Sequence, residues 1–373
     1  MYFGFFAPIE LEERLHGLED LAEVLADSGL GELLTSFNPL HPRPVYWTGF
    51  RQRVPDRLKG LLDLFGLGRE IDIRALPDGL DWIAAELPRH GVGIAANGKL
   101  QLKQGLRLLP FAGRWLFCTP PGAGLKYYLG DDSIALMLRT QMTAGGDVLD
   151  LCAGTGLQAL HCAGFASRIT AVERDREAAE IARINVMLNR LEDRVEVLHG
   201  DMFEPVKGRQ FDLVVANPPL LPVPDNLPEL SIGHGGHDGM RICCRILEGL
   251  PMALTPGGRA HLIASCLTDA GNRSLRRLLV NLANTCQLDI IVTIISMQEM
   301  ARDGRYLDAM AHAVAREIAA DPDHVLAAYQ NDMRERKATH LSFLFLLVRH
   351  GTGTVEMSDL RTPASQSLWH IDL

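Results

Sequence analysis

Residues Val148-Leu149-Asp150-Leu151 form an apolar run interrupted by one carboxylate, and they pass directly into Cys152-Ala153-Gly154-Thr155-Gly156. Such a run, closed by glycines, reads as a buried strand entering a sharp turn. From Asp147 onward the pattern repeats. Strand-like runs at Asp147–Leu151, Arg168–Glu173, Val195–Gly200, Phe211–Ala216, Arg259–Ser265, Leu288–Ile295 and His340–Val348 alternate with helical stretches, among them Glu177–Leu191 and Asp238–Leu254. Parallel strands cannot be joined by tight hairpins and need crossover helices. Strict alternation therefore predicts an α/β fold, a doubly wound Rossmann-like sheet of seven strands with helices on both faces.

The preceding residues follow a different pattern. Leu11, Leu15, Leu18, Leu21 and Leu25 predict a helix over 9–37, ended by Asn38-Pro39 and Pro42-Arg43-Pro44. A second helix is expected from Pro55 to Phe65 and a third over Leu80–Leu87, stopped by Pro88. Val92–Ala96 and Lys99–Leu102 flank Asn97-Gly98, a dipeptide suited to a hairpin turn that needs two positive φ angles. Helices followed by a hairpin fit an N-terminal α+β domain, either winged-helix-like or a generic small unit. Pro120-Pro121-Gly122-Ala123-Gly124 reads as a linker, and a short helix is expected from Ser133 to about Thr143. The expected division is residues 1–120 for substrate recognition, 121–350 for the α/β domain, and a tail over 351–373 without a readable pattern.

Charge and cysteine usage narrow the partners. The formal net charge of −9 argues against a general polyanion binder. Residues 41–126, however, carry 13 Lys/Arg against 7 Asp/Glu, a net of +6, which keeps nucleic acid open as a partner. The seven cysteines show no Cys-x-x-Cys spacing, as expected of reduced thiols in a cytoplasmic protein. The apolar start, Met1–Phe6, lacks a basic flank and soon meets Glu10, Glu12 and Glu13, unlike a signal peptide. No apolar run approaches the ~20 residues of a membrane span.

The chemistry-bearing residues lie at strand ends. Gly154 and Gly156 let the backbone turn close to a ligand, and the following helix offers its first amides to an anion. A dinucleotide fingerprint would need glycines at Cys152, Gly154 and Leu157, and two of these three positions fail. Glu173, followed by Arg174, ends the second strand, where a carboxylate can accept from two ribose hydroxyls. Asp201-Met202 follow the third strand, and Asn217-Pro218-Pro219-Leu220 follow the fourth.

The glycine loop after Asp150, answered by Asn217-Pro218-Pro219, resembles class I S-adenosylmethionine (SAM) methyltransferases of the small-domain group. This group includes protein-glutamine, ribosomal-RNA guanine and adenine-N6 enzymes. The resemblance covers about residues 125–350, and Gly235–Met240 is similar to a loop of the protein-glutamine enzymes. It implies that Asp150, Cys152, Gly154 and Gly156 cradle SAM, that Glu173 and Arg174 address the ribose, and that Asp201 and Met202 address the adenine. It implies further that Asn217 and Pro218 accept the N–H groups of a target nitrogen, with Pro219 stiffening the turn. Cys152 departs from the commoner glycine. Leu220 replaces a ring that would stack on a planar target, which favours a small metabolite or natural-product nitrogen over RNA, DNA or a protein amide. A SAM-binding scaffold without catalysis is the non-enzymatic alternative. Tyr127, Tyr128 and Asp131–Ser133 are expected near the cofactor, by the same resemblance. His234 and His237 are expected in a mobile loop covering substrate, and no metal site is expected from them or from His261. Trp47, Arg51 and Arg53 are either a binding face or plain surface. The substrate and the oligomeric state are not given by the sequence.

Overall fold

The computed structural model describes residues 17–37, 45–120, 126–140, 144–230, 232–301 and 304–359. The expected helix start before residue 17, the proline breaks at 38–44, most of the 120–124 linker and the tail beyond 359 lie outside the described residues.

The N-terminal unit holds short helices α1 (Leu21–Ser28), α2 (Leu30–Thr35), α3 (Val45–Phe50) and α4 (Asp56–Leu61). The single helix expected up to residue 37 is broken at Gly29, whose φ of 84° ends α1 and starts α2. Strand β1 (Ile71–Asp72), helix α5 (Ile83–Arg89) and strands β2 (Gly93–Ala96) and β3 (Lys99–Leu102) follow. The β2–β3 turn has φ of 51° at Asn97 and 73° at Gly98, as the dipeptide required. The three strands order as β1-β3-β2, all antiparallel, with β1 returning to pair the hairpin as in a winged helix. A further hairpin, β4 (Arg107–Phe111) and β5 (Arg114–Cys118), completes the unit.

The α/β unit runs α6 (Asp131–Arg139), β6 (Asp147–Leu151), α7 (Leu157–Cys162), β7 (Arg168–Glu173), α8 (Arg176–Leu188), β8 (Val195–His199), β9 (Phe211–Ala216), α9 (Arg241–Ala253), β10 (Leu254–Thr268), α10 (Arg273–Cys286), β11 (Leu288–Glu299), α11 (Arg305–Glu317), α12 (Pro322–Arg336), β12 (His340–His350) and β13 (Val355–Asp359). Its sheet has the order β13-β11-β12-β10-β9-β6-β7-β8, with β12 antiparallel to both neighbours. Seven of these strands are those expected. The eighth, β13, adds to the edge in parallel with β11, in a stretch expected to be patternless tail.

Strand alternation sorts the core into layers. Leu149, Leu151, Val214 and Leu262 face α9 and α10, meeting Ile246, Leu250 and Leu279. Val148, Ile169 and Val215 face α7 and α8. Ile263 and Phe343 belong to a third layer with α6, α11 and α12, which also holds Val223 and Leu227 of the segment after β9.

Two asparagines one helical turn apart, Asn185 on α8 and Asn189 at its C-terminal cap, join the two units. Asn185 accepts from the Phe117 N–H at 2.7 Å and donates to the Phe117 carbonyl at 3.0 Å and the Thr155 carbonyl at 2.9 Å. Asn189 accepts from Trp115 N–H at 3.1 Å and donates to its carbonyl at 2.7 Å. The helix thus serves the outer edge of β5 as a partner strand would. Asn185→Ala strands three buried backbone groups, and urea unfolding should show a loss of about 3 kcal/mol.

His261 on β10 is buried against Phe345, and neither ring nitrogen has a hydrogen-bond partner among the described residues. Burial lowers its pKa from 6.5 to about 4. Between those values the unfolded chain binds the proton and the folded one does not, so stability falls as pH drops through that window. The loss reaches roughly 3 kcal/mol at its foot. Urea unfolding at pH 7 and pH 4.5 should show this acid limb in the wild type and a flatter one in His261→Leu.

Candidate active site

The chain leaves β6 for β7 and β8 on one side, then returns to β9 on the other. The crevice at such a reversal, beyond the carboxyl ends of the strands, is where open α/β sheets take ligands. Register fixes what meets there. Leu151 pairs with Ala216, and Leu151 also pairs with Val172. The glycine turn, Glu173 and Asn217 therefore leave three adjacent strands at one level.

The glycine turn is held from beneath and from the side. Asp150 is wholly buried, and one of its oxygens accepts from Ala159 N–H at 3.0 Å in the first turn of α7. Burial raises its pKa to about 8. Its place is under the turn, which it shapes. Glu173 accepts from Gly154 N–H at 2.8 Å through one oxygen and from Asp175 N–H at 2.7 Å through the other. Each oxygen keeps a further lone pair for a ligand hydroxyl. Burial raises the Glu173 pKa above the usual carboxylate range. Gly154, at φ 55°, has open space where a Cβ would stand, so a ligand can lie against the backbone there.

Cys152 sits at φ 56°, in the left-handed region that favours glycine. Small size is thus not the whole of its fit, since the side chain carries a backbone cost. Burial pushes its thiol pKa up, so it is no thiolate nucleophile. Cys152→Gly should raise stability by about 1 kcal/mol and Cys152→Val should lower it by at least as much, both read by urea unfolding.

At the third strand end, Asp201 accepts from Arg245 of α9 at 2.7 Å, a partner that the sequence reading missed because it lies on another helix. Met202 turns through φ 50° and is buried. Arg174 is exposed, and its carbonyl meets the His199 ring at 3.1 Å.

Asn217 carries the most specific geometry. Its Nδ2 donates to Asp132 Oδ2 at 3.0 Å and to Ser133 Oγ at 3.0 Å, both on α6. Its Oδ1 is buried and has no partner among the described residues. The following Pro218 is buried, and Pro219 and Leu220 are half-buried. Burial and the nearby Asp132 carboxylate raise the Tyr128 pKa, whereas Tyr127 turns away and donates to Glu177 at 2.7 Å. The two tyrosines are therefore split between the Asn217 group and the packing of α8.

The segment expected to be a mobile cover is stitched down instead. Leu221 N–H donates to the Gly233 carbonyl at 2.9 Å, Gly235 N–H to Leu221 at 2.9 Å, Val223 N–H to Gly236 at 2.9 Å, and Leu267 N–H to Asp238 at 2.8 Å. A Cβ on Gly239 would stand 2.7 Å from the Leu220 carbonyl oxygen, so only glycine admits this packing. The Tyr329 hydroxyl of α12 clamps the Pro222 carbonyl at 2.6 Å. His234 accepts from Leu230 N–H at 3.1 Å, and His237 lies 3.6 Å from Asp238 and 3.8 Å from Asp225.

In the N-terminal unit, Trp47 is a core residue and Arg51 is held by Asp63, while Arg53 lies over the exposed Phe50 ring at 5.6 Å. Several of the basic side chains pair with acids of the same segment, which leaves its net charge unchanged. Lys59 pairs with Asp56, Arg69 with Asp63, Arg74 and Lys99 with Asp72, and Arg89 with Glu86. Among the described residues no helix is long and apolar enough to cross a membrane.

A reversal-point crevice with a glycine turn, a strand-end glutamate and an Asn-Pro-Pro turn is the arrangement expected of a nitrogen-directed, SAM-dependent methyltransferase. Comparison with known proteins agrees. The family model described as "Methyltransferase small domain" matches residues 116–287. A putative protein N5-glutamine methyltransferase of Methanocaldococcus jannaschii is 33% identical over 147 residues, covering 38% of this chain and 73% of that protein. The ribosomal protein uL3 glutamine methyltransferase of Bradyrhizobium diazoefficiens is 36% identical over 148 residues, covering 37% of this chain and 46% of that protein. The tRNA1(Val) (adenine(37)-N6)-methyltransferase of Tolumonas auensis is 30% identical, covering 36% of this chain and 58% of that protein. The chain belongs to the methyltransferase small-domain family of SAM-dependent enzymes. The match spans about half the length of the two bacterial relatives.

Proposed function

We propose that the protein transfers a methyl group from SAM to the nitrogen of a side-chain amide in a protein. The observation that carries the nitrogen chemistry is the buried, unpartnered Oδ1 of Asn217 beside the glycine turn. SAM, when bound, supplies the methyl group on a sulfonium leaving group. The protein's task is to aim a lone pair at it. Asn217 Oδ1 takes one N–H of the target and the Pro218 carbonyl takes the other. These two acceptors turn the lone pair toward the cradle and stabilise the charge that develops on nitrogen. A neutral amide partner suits a neutral –NH₂, which attacks without first losing a proton. The C–S bond breaks as the C–N bond forms, a neutral thioether departs, and the surplus proton of the methylated nitrogen passes to solvent.

Three observations support an amide acceptor. Two of the relatives above are glutamine methyltransferases by name. Leu220 offers an aliphatic cover, sufficient for a small planar amide and poorer than a ring for a nucleobase. Six of the 13 basic side chains of residues 41–126 face acids of the same segment, so they form no continuous basic face. Adenine in RNA is the second reading, favoured by the tRNA relative and by the winged-helix strand order. A small-molecule nitrogen, which Leu220 and the acidity favoured on the sequence alone, is the third. In all three readings Glu173 holds the ribose and Asp201, with Met202, the adenine of SAM.

Methyl-labelled SAM incubated with cell extract, split into protein, nucleic-acid and small-molecule fractions, tests this. Wild type should label the protein fraction, and digestion should place the label on a glutamine or asparagine. Asn217→Ala should lose about 100-fold or more in rate while binding SAM within about threefold of wild type. Label confined to RNA would select the adenine reading. Full activity in Asn217→Ala would remove the proposed role of that residue.

A further inference from the structure

We propose that Asp132, with Ser133, is the positioning residue that dictates which end of the Asn217 amide faces the target nitrogen. The inference rests on the reading of Asn217 as the acceptor of the target N–H.

An asparagine side chain has two ends of nearly the same shape and opposite hydrogen-bonding sense. Its torsion alone does not choose between them, so its neighbours must. Asn217 has two polar side-chain neighbours on one side, Asp132 Oδ2 and Ser133 Oγ, each 3.0 Å from Nδ2. An ionised carboxylate only accepts, so it can face only the –NH₂ end. Oδ1 is thereby driven to the other side, where it stands buried and without a partner. The reverse orientation would set Oδ1 against the carboxylate. It would also aim an N–H donor at the target nitrogen, tying up the lone pair that must attack.

The carboxylate is itself held firmly. Asp132 is about nine-tenths buried in the first turn of α6; burial raises its pKa, and the Asn217 –NH₂ donating to Oδ2 at 3.0 Å favours the ionised form. Helix α6 belongs to the layer that includes α11, α12 and the segment after β9, so Asp132 and Asn217 are fixed in one packed body. The arrangement also accounts for asparagine at position 217. An aspartate there would place two buried carboxylates 3 Å apart, and one would have to take up a proton.

That last point gives a test in which a merely structural role predicts a different result. Asn217→Asp alone should lose at least 100-fold in methyl transfer to the labelled fraction of extract. Asp132→Asn alone should lose 10-fold or more, because either end of Asn217 then finds a partner. The double variant Asp132→Asn/Asn217→Asp restores one donor facing one carboxylate and presents oxygen to the target. It should recover at least 10-fold over Asn217→Asp. SAM affinity by calorimetry should stay within threefold throughout, which also shows that each variant is folded. A double variant whose loss equals the product of the single losses overturns the inference, as does an Asp132→Asn enzyme at the wild-type rate.

A second measurement needs no substrate. The Asn217 side-chain –NH₂ signals, identified by NMR through their loss in Asn217→Asp, should exchange with solvent at least tenfold faster in Asp132→Asn and in Ser133→Ala. Unchanged exchange in both variants overturns the inference. If Asn217→Ala keeps full activity, or wild type labels no fraction, the parent reading of the site fails, and the exchange rates still decide whether Asp132 orients the amide. If Asn217→Ala is inactive while Asp132→Asn is normal in both rate and exchange, only the present inference fails.

Discussion

The parallel pairing of β6 with β9 is the contact on which the rest of the molecule depends. It brings together two strands separated in sequence by β7, α8 and β8, and it sets Leu151 beside Ala216. One residue further on, the first strand becomes the glycine turn and the second becomes Asn217. A slip of one residue would send Leu149 and Leu151 to the wrong layer and carry the asparagine away from the turn. The apolar face therefore enforces the register, and the register places the chemistry. The other crest residues follow by the same means, since β7 pairs with β6 one position short of Glu173, and Glu173 pairs with His199 just before Asp201.

Most of this frame is legible in the sequence because it is built from period and punctuation. Buried parallel strands are short apolar runs, and Asp147–Leu151, Arg168–Glu173 and Phe211–Ala216 fall at the expected residues. Asn97-Gly98 marks its hairpin because few other pairs tolerate two positive φ angles. β13 gave no such signal. Val355-Glu356-Met357-Ser358-Asp359 lies at a sheet edge, is exposed along much of its length, and owes its strand form to β11. The break at Gly29 was missed because leucine spacing continues through it. Within an element, periodicity outranks a single glycine in a sequence reading, while the backbone obeys the glycine.

The site was legible as a set of residues and illegible as a set of bonds. Asp150, Glu173 and Asn217 announce themselves by position at strand ends. Their partners do not. Asp132 lies 85 positions from Asn217, and Arg245 lies 44 from Asp201. No periodicity links such pairs. The basic segment shows the opposite failure. A net of +6 suggested an open charged face, yet Asp56 with Lys59 and Glu86 with Arg89 pair at helical spacing, which breaks up the face and leaves the net unchanged. Composition sums charge over a stretch; spacing says how much of it reaches a partner.

The asparagine pair at the C-terminal end of α8 has a wider meaning. Asn185 and Asn189 address only main-chain atoms of Phe117 and Trp115, and every residue except proline carries those atoms. That joint recognises a strand and not a sequence. The strand seated in it can therefore change its side chains, and the unit behind it can change its surface, without renegotiating the attachment. Through Asn185 the same joint also grips Thr155 in the glycine turn. The part of the molecule free to diversify is thus bolted to the part that must stay constant, and the bolt is indifferent to the diversity it carries.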